Sequence, residues 1–265
     1  MAFYTVIGAG GFIGSRMVSA LAADGLEVQA PPRDADLTAR DLGRVIYCAG
    51  LTGDYRTRPF DTVEAHVALV ARILEAGRYE RFVYLSSTRL YQTTGAADGR
   101  EDAALAMDPN DREQVYELSK ALGENLVVNR SEGRGCAARL SYVFDWTEGA
   151  EGFLANWLVQ ARSRRDITIA STPEDGRDFI HVSDVIRGLR TMADQPVNQI
   201  LNVASGRTTT NAEIAGVFEA AGWRVRFTGA APAAAPTRAD VGRLRALGVE
   251  PRPALQVIAD YLAGL

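Results

Sequence analysis

The sequence predicts an α/β protein with a doubly wound parallel sheet and a smaller C-terminal lobe. Short strands that are apolar throughout alternate with amphipathic helices in the first part of the chain, which is typical of a parallel sheet covered on both faces. A glycine-rich turn joins the first strand to the first helix. The alternation weakens after about residue 148, and this change predicts the second lobe.

Local patterns predict each element of the first part. The first strand ends in glycines, and the helix after it carries apolar residues at helical spacing. The second strand is stopped by Pro31 and Pro32. We expect strands at 3–7, 26–30, 44–49, 81–85 and 136–144. We expect helices at 12–23, 62–76 and 114–128. Right-handed crossovers then place the carboxyl ends of the strands along one edge, where ligands bind.

The second part predicts shorter elements. We expect helices at 152–163, 183–192 and 211–221, and strands at 166–170 and 199–203. Residues 208–211 (TTTN) predict a turn and a helix cap before the last of these helices. Residues 229–236 (GAAPAAAP) predict a low-complexity loop, and residues 237–265 predict mostly helix.

Composition excludes several classes of protein. With 29 basic and 33 acidic residues, the net charge of −4 excludes a protein whose main work is non-specific binding to nucleic acid or to an acidic membrane. Two cysteines, Cys48 and Cys136, exclude a disulfide framework and predict free thiols in a reducing cytoplasm. We expect no membrane span, no signal peptide and, with only His66 and His181, no metal site.

The glycine turn predicts a nucleotide site. Gly8 allows the tight turn, Gly11 lets the backbone approach a pyrophosphate, and Gly14 lets the helix pack on the strand. The N-terminus of the helix then offers N–H groups and a positive dipole to phosphate. The spacing G-x-x-G-x-x-G differs from the usual G-x-G-x-x-G, since residue 13 is Ile.

A second constellation predicts acid–base chemistry. Tyr116 and Lys120 form Y-x-x-x-K, which places both side chains on one face of a helix. An ammonium group beside a phenol favours the phenolate and makes the tyrosine a usable acid or base. A hydroxyl in the run Ser86-Ser87-Thr88, at the end of a predicted strand, can polarise a substrate oxygen beside Tyr116.

The order of these motifs resembles that of the extended short-chain dehydrogenases/reductases, and the resemblance covers nearly the whole chain. Residues 8–14 (GAGGFIG) are similar to the signature T-G-G-x-G-F-I-G, with Ile7 in place of the usual Thr. Further segments resemble those shared by nucleotide-sugar epimerases, dehydratases and reductases. They are 85–91 (LSSTRLY), 116–124 (YELSKALGE), 177–185 (RDFIHVSDV), 201–206 (LNVASG), 238–240 (RAD) and 247–251 (LGVEP).

The resemblance implies a Rossmann-type fold, an NAD(P) cofactor and a nucleotide-diphosphate sugar as substrate. Residues 1–148 with about 178–210 would form the dinucleotide-binding domain, and about 149–177 with 211–265 the substrate-binding lobe. The implied catalytic residues are Ser87, Tyr116 and Lys120. The implied cofactor contacts are Gly8, Gly11, Phe12, Ile13, Gly14, Arg33, Asp36, Leu37, Ala49, Tyr116 and Lys120. The implied substrate contacts are Ser87, Tyr142, Arg177 and Arg238, the arginines meeting the diphosphate or, alternatively, remaining solvated surface charges.

Departures from the family pattern limit which reactions and cofactors the resemblance implies. No acid ends the second strand, and Arg33 stands nearby, which favours NADP(H) over NAD(H). Asp36-Leu37 then arrives early as the adenine-contacting pair, because a helix and a strand are missing before it, as in reductases that finish deoxysugars. Thr88-Arg89 stands where dehydratases have Asp-Glu, which disfavours dehydration. Tyr142 replaces an Asn that contacts substrate in the family.

Three hypotheses for the function remain open. The leading one is an NAD(P)-dependent keto-sugar reductase, the second a nucleotide-sugar epimerase with tightly held NAD, and the third a non-catalytic cofactor-binding protein on the same fold. The resemblance also implies a homodimer formed through a four-helix interface that includes the helix of Tyr116. We expect His181 to be structural, whereas His66 stands where the family often has Asn and its role is open.

Overall fold

The computed structural model describes residues 3–95, 98–146, 152–230 and 237–265. The predicted domain boundary near residue 148 lies outside the described residues, as does most of the predicted loop at 229–236. The described residues form a mixed α/β protein around a six-stranded parallel sheet, which confirms the predicted fold class.

The main sheet has the strand order β10-β6-β4-β3-β1-β2, and all of its strand pairs are parallel. Its members are β1 (Tyr4–Ile7), β2 (Val28–Gln29), β3 (Arg44–Tyr47), β4 (Arg81–Ser87), β6 (Gly135–Leu140) and β10 (Ile200–Val203). Because β1 lies between β2 and β3, the direction of winding reverses between β1 and β3. Crevices at the carboxyl ends of strands at such a reversal are where ligands bind in open α/β sheets.

Helices cover both faces of the main sheet. The two on one face are α1 (Phe12–Ala23) and α6 (Val182–Asp194), and the other face carries α2 (Pro59–Val63), the π-helical turn Glu64–Ala68, α3 (Leu69–Ala76) and α4 (Val115–Arg130). The first face buries Val6, Met17 and Leu189 in one apolar cluster, and the second buries Tyr47 and Ile73 in another. Alternate residues of the strands therefore enter different cores, which explains their continuously apolar sequences.

Much of the rest of the chain builds a second, aromatic core. The remaining helices are α5 (Phe153–Ser163), α7 (Asn211–Ala220), α8 (Gly242–Ala246) and α9 (Ala254–Leu262). The remaining strands are β5 (Asp98–Gly99), β7 (Tyr142–Phe144), β8 (Asp166–Ile169), β9 (Gly176–His181), β11 (Thr208–Thr210), β12 (Arg224–Phe227) and β13 (Arg238–Ala239). Trp157, Phe218 and Ile258 are buried together in this core, whereas α6 and the buried Leu244 of α8 pack with the main sheet.

Several predicted elements differ from the structure. The single strand predicted at 136–144 is wrong: Ser141 separates β6, in the main sheet, from β7, which pairs with β9. The strands β9, β11 and β12 were not predicted, because their charged and threonine-rich sequences gain partners only in the folded protein. Mostly helix at 237–265 is also wrong, since β13 and two short helices share this segment. No helix lies between β2 and β3, as the shortened sequence there predicted.

Candidate active site

The glycine turn lies at the reversal point of the sheet. Gly8 has φ of +85°, and a Cβ atom there would lie 2.6 Å from the backbone nitrogen of Ala49, just after β3. A Cβ atom at Gly14 would overlap the carbonyl oxygen of Gly8. Gly11 begins α1 without a side-chain cap, and the first turn of the helix has no acidic residue. The turn therefore leaves the positive end of α1 open to a phosphate.

The other predicted cofactor residues differ in their surroundings. The ring of Phe12 lies 4.3 Å from the guanidinium of Arg16, and Ile13 packs against the core of the main sheet. Leu37 is buried in the core on the opposite face.

Arg33 and Asp36, the two polar side chains predicted to contact the adenosine part of the cofactor, lie outside the core. The Arg33 side chain is exposed. Asp36 accepts hydrogen bonds from the backbone N–H and the hydroxyl of Thr38, at 2.9 and 2.7 Å, and these bonds lower its pKa.

Ser87, Tyr116 and Lys120 come from two neighbouring elements. Ser87 ends β4, and α4 carries Tyr116 and, one turn later, Lys120. Tyr116 is buried; burial raises its pKa, and hydrogen bonding with the Ser87 and Thr52 side chains opposes that shift. The predicted hydroxyl and phenol therefore face each other at the carboxyl end of the sheet.

Lys120 is buried behind Tyr116. Its ammonium donates to the carbonyl oxygen of Leu85 at 2.7 Å and lies 4.8 Å from the centre of the Tyr84 ring. Burial lowers the pKa of Lys120 to about 7, against the attraction of Glu124. Near neutral pH the lysine can therefore gain or lose a proton at little cost, which suits a residue beside an acid–base tyrosine.

His66 connects the loop at Leu51, which follows β3, to α4. Its Nδ1 lies 2.8 Å from the Ser119 hydroxyl, which donates to the carbonyl oxygen of Tyr116, and its Nε2 accepts from the backbone N–H of Leu51. This pattern requires the proton on Nδ1. Burial and the charge of Lys120 lower the pKa of His66 to about 2, so the imidazole is neutral.

Three further side chains at the site were missed by sequence reasoning. Arg89, in the 3-10 turn Thr88–Thr93, forms an ion pair with Glu117 and donates to the Tyr55 hydroxyl at 2.7 Å. Its guanidinium lies 5.2 Å from the centre of the Tyr116 ring. The available signals were the position of Arg89 two residues after Ser87 and that of Glu117 beside Tyr116; Tyr55 gave none.

The predicted diphosphate arginines lie in different surroundings. The guanidinium of Arg177 lies 4.2 Å from the Phe153 ring and 5.3 Å from the Tyr142 ring, and its buried Nη1 has no hydrogen-bond partner among the described residues. Arg238 is exposed and paired with Asp98 at 2.9 Å.

The second histidine has a structural role. His181 caps α6 by accepting the backbone N–H of Ser183, in agreement with the expectation that it is structural. Within the ranges that the structure covers, no group of three or more His, Cys, Asp or Glu side chains could hold a metal ion.

Comparison with known proteins assigns the family. The sequence model of the NAD dependent epimerase/dehydratase family matches residues 4–204, which is most of the chain. The chain belongs to this family. The assignment confirms the resemblance to extended short-chain dehydrogenases/reductases and the expectation of an NAD-dependent enzyme of the epimerase and reductase type.

Individual relatives are distant but align over almost the full length. The chain is 25% identical to a dTDP-4-dehydro-6-deoxy-D-allose reductase of Streptomyces sp., over 94% of this chain and 91% of that protein. It is 24% identical to a UDP-glucose 4-epimerase of Neisseria meningitidis serogroup C, over 82% of this chain and 81% of the epimerase. The solved structure of MoeE5 in complex with UDP-glucuronic acid and NAD is 26% identical, with a TM-score of 0.77 and coverage of 99% and 97%.

Proposed function

We propose that this enzyme is an NAD(P)-dependent keto-sugar reductase that acts on a nucleotide-diphosphate sugar. The observation that carries the proposal is the meeting of Ser87 and Tyr116 beside the glycine turn, with Lys120 behind the tyrosine. The reductase from Streptomyces sp. among its relatives supports the reaction. A nicotinamide cofactor bound at the glycine turn supplies the hydride chemistry.

Each residue of the triad has a role that follows from its position. Tyr116 gives its phenolic proton to the carbonyl oxygen of the sugar, since its pKa is raised and the phenol is protonated at neutral pH. Ser87 donates to the same oxygen and orients it. Lys120 would hold the ribose of a bound cofactor, and its ammonium favours the tyrosinate that remains after proton transfer. Neutral His66 holds the carbonyl of Tyr116 through Ser119 without adding a second charge.

The glycine turn and its surroundings fit a nicotinamide dinucleotide. Its pyrophosphate would meet the open N-terminus of α1 at Gly11 to Gly14, between Phe12, Ile13 and Ala49. We propose NADP(H) as the preferred form, because Arg33 is exposed and residues 30–32, directly after β2, include no acid to repel a 2′-phosphate. Arg33→Ala should then weaken NADPH binding and leave NADH binding unchanged; equal loss for both would contradict the preference.

We propose Arg177 as the main contact of the substrate diphosphate. Its Nη1 is buried without a partner, and the flanking rings of Tyr142 and Phe153 hold the guanidinium in place. A buried guanidinium with unused N–H groups gains most from a ligand with oxygen acceptors. Arg238 would join the diphosphate only by leaving its exposed pair with Asp98, which costs little.

The second candidate is an epimerase that removes a hydride and returns it to the other face. The distant match to a UDP-glucose 4-epimerase favours it, and the same triad would serve. A third candidate, a non-catalytic cofactor-binding protein, is disfavoured by the intact Ser87, Tyr116 and Lys120. Conversion of any nucleotide sugar would exclude it.

The deciding experiment measures the cofactor content of the freshly purified protein by mass spectrometry after denaturation. We expect an empty protein that binds NADPH more tightly than NADH and oxidises it when a 4-keto nucleotide sugar is added. Near-stoichiometric NAD that survives purification, with no net redox change of the sugar, would instead establish the epimerase. Failure to bind either cofactor would contradict both.

We propose that the second, aromatic core forms the substrate-binding lobe and that the enzyme is cytoplasmic. We also propose that it forms a homodimer through the surface of α2 and α4. Phe60, Val63 and Leu122 on α2 and α4 are exposed hydrophobic side chains, with Phe60 exposed to 89%, and a shallow apolar groove runs between these helices. Such a surface is expected to be covered by a partner. In sedimentation experiments Leu122→Asp should convert a dimer to a monomer; a monomeric wild type at micromolar concentration would contradict the dimer.

One structural finding bears on location without deciding it. Along the described stretches of the chain, the structure contains no helix with the length and apolar character needed to cross a membrane. Both cysteines, Cys48 and Cys136, are free thiols, as expected in a reducing compartment.

A further inference from the structure

A cluster of three side chains, Arg89, Glu117 and Tyr55, lies next to Tyr116. Arg89 forms an ion pair with Glu117 and donates to the hydroxyl of Tyr55. Its guanidinium lies 4.8 Å from the centre of the Tyr55 ring and 5.2 Å from that of Tyr116. The Tyr55 and Tyr116 rings are themselves 5.4 Å apart. Arg89 thus contacts both rings.

The position of Arg89 is determined by groups that also position the catalytic residues. Glu117 directly follows Tyr116 in α4 and is buried, so its carboxylate needs a cation nearby. The backbone N–H of Arg89 donates to the Ser87 hydroxyl at 3.1 Å. The ion pair with Glu117 and the hydrogen bond to Tyr55 use two arms of the guanidinium fork, which restrains its rotation.

Several titratable groups face Tyr116, and they differ in the charge that they carry. His66 packs edge-on against the ring and is neutral. The centre of the Tyr55 ring lies 5.4 Å from that of Tyr116, burial raises the pKa of the more remote Tyr84, and the carboxylate of Glu117 raises the pKa of Tyr116. Lys120 is a cation whose charge is lost near pH 7, because burial lowers its pKa. Burial acts to lower the pKa of Arg89 as well. Hydrogen bonding and charge interaction with Tyr55 and Glu117 outweigh this effect, so the pKa of Arg89 is raised overall and Arg89 stays charged.

We propose that Arg89 is a positioning residue that keeps a permanent positive charge against Tyr116 and thereby stabilises the tyrosinate form, in addition to Lys120. A guanidinium is always protonated, so this charge persists at every pH at which Lys120 titrates. By favouring the tyrosinate, the charge of Arg89 would assist transfer of the phenolic proton from Tyr116 to the substrate oxygen. The inference rests on the proposed role of Tyr116 as proton donor.

The experiment measures the ionisation of Tyr116 directly, without substrate. Tyrosine labelled with carbon-13 at Cζ is followed by NMR as the pH rises, and the Tyr116 signal is the one missing from Tyr116→Phe. Removal of an opposite charge at this distance should shift the midpoint by about one pH unit or more. We therefore expect Arg89→Gln to raise the midpoint of Tyr116 and Arg89→Lys to raise it less.

Arg56 provides a matched control. Its guanidinium lies 5.0 Å from the Tyr55 ring, and it pairs with Glu113, but its side chain is exposed to 60% and no contact joins it to Tyr116 in the structure. We expect Arg56→Gln to leave the Tyr116 midpoint unchanged.

The outcomes separate this inference from the proposed function. An unchanged Tyr116 midpoint in folded Arg89→Gln overturns the inference even where the wild type reduces a keto-sugar. A raised midpoint supports it even where no nucleotide sugar is converted. Should Arg89→Gln fail to fold, Arg89→Lys takes its place, and a midpoint equal to that of wild type overturns the inference. In an active enzyme, the alkaline limb of the pH profile of kcat/KM should move upward with the midpoint.

Discussion

Lys120 donates a hydrogen bond to the carbonyl oxygen of Leu85 at 2.7 Å, and this bond joins α4 to β4. Leu85 lies two residues before Ser87 on β4, and Lys120 lies one helical turn after Tyr116 on α4. This buried contact therefore contributes to holding the Ser87 hydroxyl near the Tyr116 phenol. Because the Lys120 ammonium is buried, its positive charge lowers the stability of the fold. The catalytic contribution of Tyr116 and the stability cost of Lys120 can both be measured.

Tyr116→Phe should abolish reduction while cofactor still binds. The substitution removes only the phenolic hydroxyl, and loss of a positioned general acid typically costs about 10²- to 10⁴-fold in rate. The glycine turn is distant in sequence and unchanged, so NADPH affinity measured by fluorescence titration should stay within a factor of about two. Retained turnover in Tyr116→Phe would refute the assignment of the proton donor.

Lys120→Met should abolish activity yet raise the stability of the fold below pH 7. The pKa of Lys120 is about 7 in the folded protein and near 10.5 in the unfolded chain. The unfolded chain therefore binds more protons between these values, so stability due to Lys120 rises with pH in that window and its penalty is constant below it. The free energy of unfolding of the variant should exceed that of wild type at pH 6, and the gap should narrow by pH 9. A gap independent of pH would contradict the shifted pKa.

Gly14→Ala should weaken both folding and cofactor binding, whereas Gly10→Ala should do neither. A Cβ atom at Gly14 would overlap the carbonyl oxygen of Gly8, but one at Gly10 would meet nothing within 4 Å. Overpacking of this kind costs about 1–3 kcal/mol. Chemical denaturation and NADPH titration of the two variants provide the comparison. Wild-type stability and NADPH affinity in Gly14→Ala would mean that the glycine turn tolerates a side chain there and would contradict the prediction.

Glu124→Ala should destabilise the protein by about 3–5 kcal/mol, because it leaves the buried guanidinium of Arg139 without its partner. The two side chains form a bidentate pair at 2.7 and 2.8 Å between α4 and β6. Arg224→Ala is the control, since its pair with Asp166 is exposed and exposed pairs contribute about 0–1 kcal/mol. Urea denaturation would show the contrast, and a small loss in Glu124→Ala would mean that water reaches Arg139.

The residues of the triad could be predicted because their spacing is local. Tyr116 and Lys120 lie on one face of a helix at a separation of four, and Ser87 ends a strand that is apolar over its length. The glycine turn is local for the same reason, since Gly8 and Gly14 meet across a single βα connection. The division into domains and the roles of the catalytic, cofactor and substrate residues stay predictions.

Contacts between distant segments could not be predicted in this way. Arg89 and Glu117 are 28 residues apart, and Tyr55 lies 34 residues before Arg89. Each looks like an ordinary surface residue in the sequence. The strand predicted at 136–144 was wrong for a related reason, because its apolar run gives no sign that Ser141 passes the chain from the main sheet to β9.

The sequence by itself therefore determined the parallel α/β fold and predicted the glycine turn and the candidate residues Ser87, Tyr116 and Lys120, since hydrophobic periodicity and short-range geometry act within one or two elements. Only the tertiary structure decided the pKa values of the site residues and which charges lie next to Tyr116. Burial removes water from Lys120 and His66 and shifts their pKa values downward, and packing brings the charge of Arg89 to Tyr116. Desolvation and charge–charge interaction depend on three-dimensional distance, which residue spacing in the chain does not contain.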